Sequence, residues 1–246
     1  MNNNNILLPH KRVIFPLDVP SLDEAKKYIH LLRNHVGVFK VGLELFASEG
    51  PNVLKVIADE TPAKIFLDLK FHDIPETVRR AQRAANVHGA DFITVHCDEG
   101  TRLLKTVVDN AKDKTRVLGI TVLTSLSKED LIASGLRKEL QDPLKLVLHR
   151  AEIAERSGCA GVVCSGKEVK AIKEKFGNDF IVVVPGVRPS WSRISNDDQS
   201  RITTPHEATN NGADYIVVGR PIRDADNPIE AAKKIADEIA KALENV

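Results

Sequence analysis

Eight short apolar runs, each followed by a longer amphipathic segment, constrain the fold of this chain more than any other feature. Most of the runs are apolar along their whole length, which is typical of parallel strands that are buried on both faces. The predicted strands are Val13–Asp18, Val36–Val41, Lys64–Lys70, Phe92–His96, Arg116–Thr121, Gly161–Cys164, Phe180–Pro185 and Asp214–Gly219.

The segments between the runs carry helix signals. Ser21 and Glu24 have the spacing of a capping box, and Asn227 with Pro228 is typical of a helix start. Eight β–α units over about 230 residues favour a single closed (β/α)8 TIM barrel over an open sheet. An open doubly wound sheet stays an alternative, because alternation alone does not prove closure. We predict one catalytic domain over residues 11–246, preceded by a flexible tail at residues 1–10.

Composition excludes several classes of protein. Lys and Arg number 35 against 34 Asp and Glu, so the bulk charge favours neither nucleic acid nor a membrane surface. No apolar run approaches the ~18 residues of a membrane span. The three cysteines, Cys97, Cys159 and Cys164, form no C-x-x-C pair. Their odd number indicates a reduced setting, and we expect a soluble cytoplasmic protein.

Charged residues gather where three consecutive predicted strands end. Asp18 ends the first strand, Lys40 lies in the second, and Asp68 and Lys70 lie two apart in the third. Residues two apart on a strand point to the same side. Solvated surface ion pairs would also give this pattern. Four charges at one barrel rim favour a functional site, because burying them is costly and active sites tolerate that cost.

A second cluster follows the seventh and eighth strands. Gly186 and Arg188 follow one strand, and Gly219 and Arg220 follow the other. Glycine lets backbone N–H groups approach an anion and Arg offers a forked contact, so these loops predict a phosphate site. Ordinary glycine turns with solvated arginines are the simpler alternative.

Other motifs are weak. Ser165–Lys167 lacks the glycine spacing of a P-loop, and the histidines lack metal-ligand spacing. We therefore expect no cofactor and no metal, and His72 and His96 are better read as packing or supporting residues. The segment Val187–Thr204 is long for a structureless connection, which favours a lid. Its Trp191 could cover a ligand, but a loop anchor is the simpler interpretation.

After its Asn-rich start, the chain resembles the orotidine 5′-phosphate decarboxylases over essentially its full length. D-x-K-x-x-D at Asp68–Asp73 is shared by a wider suprafamily, but its combination with Lys40 and the Gly/Arg segments is specific. The matching segments are Leu17–Asp18, Phe39–Gly42, Asp68–Thr77, Thr121–Ser125, Pro185–Pro189, Asp198–Gln199, Thr204–Pro205 and Val218–Ile222.

The resemblance implies a metal-free decarboxylation with roles for named residues. Lys70 would protonate C6 of the pyrimidine, with Asp68 beside the departing carboxylate in a network with Lys40 and Asp73. Asp73 and Thr77 would reach into the active site of a partner subunit, which implies a homodimer. The implied substrate contacts are Asp18 and Lys40 for ribose, Thr124 for the base, Pro185, and Arg188, Gln199, Gly219 and Arg220 for phosphate.

Two alternatives stay open at this point. A suprafamily enzyme acting on sugar phosphates would hold a divalent metal with an acidic residue on the second strand, where this chain has Lys40; Glu44 is a poor substitute. A catalytically silent nucleotide-binding barrel is the other. The loop before Gln199 is slightly longer than the common bacterial pattern, so Asp197, Asp198 or Ser200 could take its place.

Overall fold

The computed structural model describes residues 7–111, 115–192 and 201–244. Eight parallel strands form a closed barrel in chain order, which confirms the predicted (β/α)8 fold and excludes the open sheet. The strands are β1 (Val13–Pro16), β2 (Val38–Val41), β3 (Lys64–Phe71), β4 (Phe92–His96), β5 (Arg116–Ile120), β6 (Gly161–Val163), β7 (Ile181–Val184) and β8 (Tyr215–Val217).

Helices surround the barrel. They are α1 (Leu22–Leu32), α2 (Leu43–Glu49), α3 (Asn52–Glu60), α4 (Pro75–Val87), α5 (Thr101–Ala111), α6 (Lys128–Ala133), α7 (Pro143–Arg156), α8 (Val169–Phe176), α9 (Pro205–Asn210), α10 (Arg220–Arg223) and α11 (Pro228–Leu243). Both predicted helix starts are confirmed, since Asn227 caps α11 and the Ser21 side chain accepts a hydrogen bond from the Glu24 N–H; of the predicted capping box at Ser21 and Glu24, the structure gives this half. Among the described residues, no helix is long and apolar enough to cross a bilayer.

Both faces of the strands are buried, which explains their continuous apolar sequence. Ile14 packs inside the barrel, whereas its neighbours Val13 and Phe15 pack outward against the helices. The interior cluster consists of Ile14, Val38, Phe66, Phe92, Leu118, Val183, Tyr215 and Val217. Leu7, within the predicted tail, packs against this cluster, and Pro9–Arg12 form a short 3-10 helix.

Five strands end earlier than predicted, namely β1, β5, β6, β7 and β8, whereas β2, β7 and β8 begin later and β3 extends one residue further, to Phe71. β1 ends at Pro16 rather than at Asp18, although the Leu17 N–H still donates to the Lys40 carbonyl at 2.8 Å. β7 likewise ends before Pro185, and β8 ends before Gly219. Asp18, Pro185 and Gly219 therefore lie in the loops just beyond their strands. Lys40 lies within β2, and Asp68 and Lys70 lie within β3.

Candidate active site

A cavity of about 370 Å³ lies at the carboxyl end of the barrel. Nine predicted site residues line it: Asp18, Lys40, Asp68, Lys70, Thr124, Pro185, Arg188, Gly219 and Arg220. Apolar side chains from the strand ends complete the wall, among them Phe66, Ile120, Val163 and Val217. The cavity therefore combines an apolar floor with convergent charged groups, as expected of a small-molecule site.

The four charges predicted from the strand ends form one alternating array. Lys40 Nζ lies 3.1 Å from Asp18 Oδ1 and 3.7 Å from Asp68 Oδ2. Lys70 Nζ donates to Asp68 Oδ2 at 2.9 Å. Two ammonium groups thus alternate with two carboxylates, and the buried Asp68 lies between both lysines.

The lysines keep Asp68 ionised in its buried position. Burial alone would raise the pKa of Asp68, but the charge of Lys40, then that of Lys70, and hydrogen bonds from Lys70 and Thr94 together hold the pKa below its ordinary value. Asp68 is therefore a carboxylate at neutral pH. It fixes the Lys70 ammonium at the cavity wall.

The backbone of Lys70 departs from the regular strand that the sequence pattern predicts. Its φ is +50°, which makes it the one non-glycine residue with positive φ in the described chain. The β3–β4 register shifts between Leu67 and Phe71, so the third strand bulges at this point. A non-glycine residue in the left-handed region is strained, and such strain is usually found at functional sites.

Thr94, which sequence reasoning missed, secures this bulge. Its hydroxyl accepts a hydrogen bond from the Lys70 N–H at 2.9 Å and donates one to Asp68 Oδ1 at 2.9 Å. Thr94 is fully buried on β4. A polar residue inside the otherwise apolar run Phe92–Val95 was the available signal.

Gly42, which follows β2, gives the charges room to meet. A Cβ at this position would lie 3.0 Å from both Asp18 Oδ1 and Lys40 Nζ. A side chain here would displace the ends of Asp18 and Lys40 by a few tenths of an ångström, so glycine favours their close ion pair.

The part of the wall formed after β7 and β8 carries the arginines, and β8 pairs with β1. Arg188 follows β7, and its N–H donates to the Thr203 carbonyl at 2.8 Å. Gly219 and Arg220 begin α10 after β8. Arg223, which the sequence analysis did not single out, also lines the cavity and donates to the Asp18 carbonyl at 3.3 Å.

Asp73 and Thr77 do not line this cavity, and both are exposed. Asp73 Oδ1 accepts a hydrogen bond from the Ile74 N–H at 2.6 Å. Gln199 lies outside the described residues, as do its possible substitutes Asp197, Asp198 and Ser200. Of the predicted lid, Val187–Thr204, the structure describes residues 187–192 and 201–204.

Trp191 and the histidines have supporting contacts. Trp191 is 42% exposed, its indole N–H donates to Glu238 Oε1 at 2.8 Å, and the Lys234 ammonium lies 5.5 Å from its ring. It therefore fastens its loop to α11. The His72 and His96 rings pack against each other at a tilt of 48°, with centroids 5.1 Å apart, outside the cavity lining.

Within the described part of the chain, no group of three His, Cys, Asp or Glu side chains is placed to hold a metal ion. The three cysteines are buried and free. Burial, with the nearby Cys159, raises the pKa of Cys97, and burial raises that of Cys159 to about 12. These thiols are therefore poor nucleophiles at neutral pH.

Comparison with known proteins agrees with this geometry. The profile of the "Orotidine 5'-phosphate decarboxylase / HUMPS family" matches residues 11–235. A Desulfosudis oleivorans protein named orotidine 5′-phosphate decarboxylase is 50% identical over 237 residues, covering 96% of this chain and 95% of that protein. Its namesake from Gloeothece citriformis is 45% identical over 94% of this chain and 98% of its own.

A solved structure supports the same relationship. The crystal structure of orotidine 5′-phosphate decarboxylase from Lactobacillus acidophilus matches with a TM-score of 0.80 and 36% identity, covering 92% of this chain and 98% of the other. The family match at residues 11–235 includes all eight strands and ends within α11. This chain belongs to the orotidine 5′-phosphate decarboxylase / HUMPS family.

Proposed function

We propose that this chain decarboxylates orotidine 5′-phosphate to uridine 5′-phosphate and CO2, a step of de novo pyrimidine nucleotide biosynthesis. One observation carries the proposal: the Asp18–Lys40–Asp68–Lys70 array faces the same cavity as Arg188 and Arg220. The array provides charge for the chemical step, and the arginines match a phosphate at the other end of the ligand.

The chemical problem is the charge left at C6. When the bond to the carboxylate breaks, its electron pair stays on C6 in an orbital that the ring does not delocalise. A fixed ammonium aimed at that carbon stabilises the developing charge more effectively than water, which would have to reorganise. Lys70 is such a group, because Asp68 holds its Nζ at 2.9 Å in the cavity wall.

Lys70 then serves as the general acid. CO2 leaves, a proton passes from Lys70 Nζ to C6, and the neutral amine regains a proton from solvent. Lys40 keeps Asp68 ionised while Lys70 is neutral, and reprotonation of Lys70 restores two positive and two negative groups in the array.

Asp68 faces the substrate carboxylate in this arrangement. Two negative charges at close range would disfavour the bound ground state relative to the transition state. Such ground-state destabilisation is contested as a source of rate, so we rank it below the electrostatic role of Lys70.

Binding at the phosphate end supports the chemistry from a distance. The phosphate would be held by Arg188, Gly219 and Arg220. The ribose hydroxyls would bind to Asp18 and Lys40, and the base would bind to Thr124, next to Pro185. Energy from the non-reacting phosphate can then be used to hold the charged array in place. The resemblance implies Gln199 as a further phosphate contact, and this residue lies outside the described part of the chain.

We extend the proposal to a homodimer in which Asp73 and Thr77 complete the partner's active site. Their exposure supports this, since neither reaches the cavity of its own chain. Ile74, which lies between them in sequence, is 68% exposed and would be covered by the same subunit contact. Three free, buried cysteines support a reducing, cytoplasmic setting.

Lys40 argues against the metal-dependent sugar-phosphate alternative. Its ammonium lies 3.7 Å from Asp68 Oδ2, on the strand where those enzymes need a metal-binding carboxylate. A cation there would repel Mg²⁺ from the Asp68 carboxylate. EDTA should therefore leave the activity of this chain unchanged.

The direct test is the ultraviolet absorbance of orotidine 5′-phosphate after addition of the purified protein, with and without EDTA. We expect a steady loss of substrate absorbance in both samples and no loss with the Lys70→Ala variant. If the wild-type protein binds uridine 5′-phosphate but consumes no substrate, the chain is a nucleotide-binding barrel and the proposed reaction is wrong.

A further inference from the structure

A second buried ion pair lies outside the charge array, in the loops after β6 and β7. Arg201 Nη1 donates to Glu168 Oε1 at 2.8 Å, and the two residues are 9% and 4% exposed. Neither residue lines the cavity. The proposed chemistry gives this pair no role.

Arg201 also reaches the loop that follows β5. Its second terminal nitrogen, Nη2, donates to the Leu123 carbonyl at 3.1 Å. Leu123 and the next residue, Thr124, both line the cavity on the side proposed to read the base. One guanidinium thus joins three consecutive loops at the barrel mouth.

The backbone just after Arg201 is tied to the phosphate end. Thr203 forms a parallel bridge with Val187, and its carbonyl accepts from the Arg188 N–H at 2.8 Å. A Cβ at Gly166, in the loop after β6, would lie 2.3 Å from Thr203 Cγ2, so this segment is closely packed against that loop. Residues 201–203 therefore set where the Arg188 backbone lies.

A contribution to fold stability explains the Arg201–Glu168 ion pair poorly. Burial raises the pKa of Glu168 even though the Arg201 charge opposes that shift. Among the described residues, Glu168 Oε2 and Arg201 Nε have no hydrogen-bond partner. Buried ion pairs with incomplete hydrogen bonding often stabilise a fold less than apolar side chains of similar size.

We propose that Arg201 and Glu168 are positioning residues that set the separation between the Thr124 loop and Arg188. The proposal rests on the proposed function, in which the base and the phosphate of one nucleotide occupy these two places. A ligand that spans both places benefits from the fixed separation. A ligand that fills only the phosphate end does not depend on it.

Arg201→Lys separates the two contacts of the guanidinium. Lysine keeps the charge for Glu168 but lacks the fork needed to reach the Leu123 carbonyl as well. We expect the Kd of uridine 5′-phosphate and the KM of the substrate to rise about tenfold, as for one lost charge-assisted hydrogen bond. The Kd of ribose 5-phosphate and the kcat should stay within about threefold.

Lys173→Met is the matched control. Lys173 forms a partly buried ion pair with Asp214 at 2.8 Å and also donates to the Asn178 and Phe180 carbonyls. Asp214 directly precedes β8, so this pair lies at the end of the barrel away from the cavity. We expect this variant to lower Tm while its affinity for uridine 5′-phosphate stays unchanged.

Three results would overturn the positioning role. The first is an unchanged Kd of uridine 5′-phosphate in Arg201→Lys. The second is a rise in the Kd of ribose 5-phosphate in that variant as large as the rise for the nucleotide. The third is a loss of nucleotide affinity in Lys173→Met as large as that in Arg201→Lys. Failure of the wild-type protein to decarboxylate its substrate would refute the proposed function instead. The ratio of the two binding constants would still test the pair.

Discussion

Replacing Thr94 by valine would remove one hydroxyl from the charge array with little change in side-chain volume. The hydroxyl accepts from the Lys70 N–H and donates to Asp68 Oδ1, each at 2.9 Å. A hydrogen bond to a charged group contributes about 1.5–3 kcal/mol, and an N–H left unsatisfied in a buried site adds to the loss. If about 2 kcal/mol of this loss falls on the transition state, kcat/KM decreases about 30-fold.

The assay is steady-state decarboxylation, with thermal unfolding measured in parallel. Thr94→Ser keeps the hydroxyl and should retain most of the activity. Thr121→Val is the matched control, because Thr121 is also fully buried and its hydroxyl donates to the Val163 carbonyl at 2.7 Å, away from the array. The reasoning is refuted if Thr94→Val keeps kcat/KM within about threefold, or if Thr121→Val loses as much.

Three further variants test separate parts of the site. Lys70→Ala should lower kcat by at least about 10⁴-fold, because the general acid and the fixed charge are lost together. Calorimetry should still show binding of uridine 5′-phosphate to this variant. Near-normal turnover would exclude Lys70 as the acid. Arg220→Ala should lower kcat/KM about 100-fold with the far-ultraviolet circular dichroism unchanged, because a charged phosphate contact is lost; normal kcat/KM would contradict the phosphate contact. Burial raises the pKa of Glu168 in the folded protein, so its contribution to stability is present below pH 4.5 and is lost as the pH rises through the folded-state pKa. The Tm of Glu168→Gln relative to that of the wild type should therefore increase between pH 4 and pH 7. A Tm difference that stays constant or decreases would contradict the burial argument.

The barrel and the location of its site could be predicted because both depend on local pattern. Continuous apolar runs indicate strands buried on two faces, and alternation with helices places every carboxyl strand end on one side. Asp18, Lys40 and Asp68 follow from that rule alone. The roles assigned to them, and those of Asp73 and Thr77, came from the resemblance and stay predictions.

The missed features depend on contacts between distant parts of the chain. Thr94 meets Lys70 across 24 residues, and Arg201 meets Glu168 across 33. The bulge at Lys70 runs against a sequence that reads as a regular strand, since no glycine or proline marks the turn. Tertiary contacts override the local preference there, and although Thr94 stands out as a polar residue in an apolar run, the sequence pattern does not show which residue it contacts.

The closure of the barrel gives a bound nucleotide a second effect. β1 and β8 pair through two residue positions, Val13 with Ile216 and Ile14 with Val217, which is as few as β7 and β8 share. The array belongs to the strands on one side of this seam, and Arg220 belongs to the strand on the other. A ligand held at both ends is then a noncovalent cross-link between the beginning and the end of the chain. Nucleotide binding should therefore slow hydrogen exchange at the β1–β8 seam more than elsewhere in the barrel.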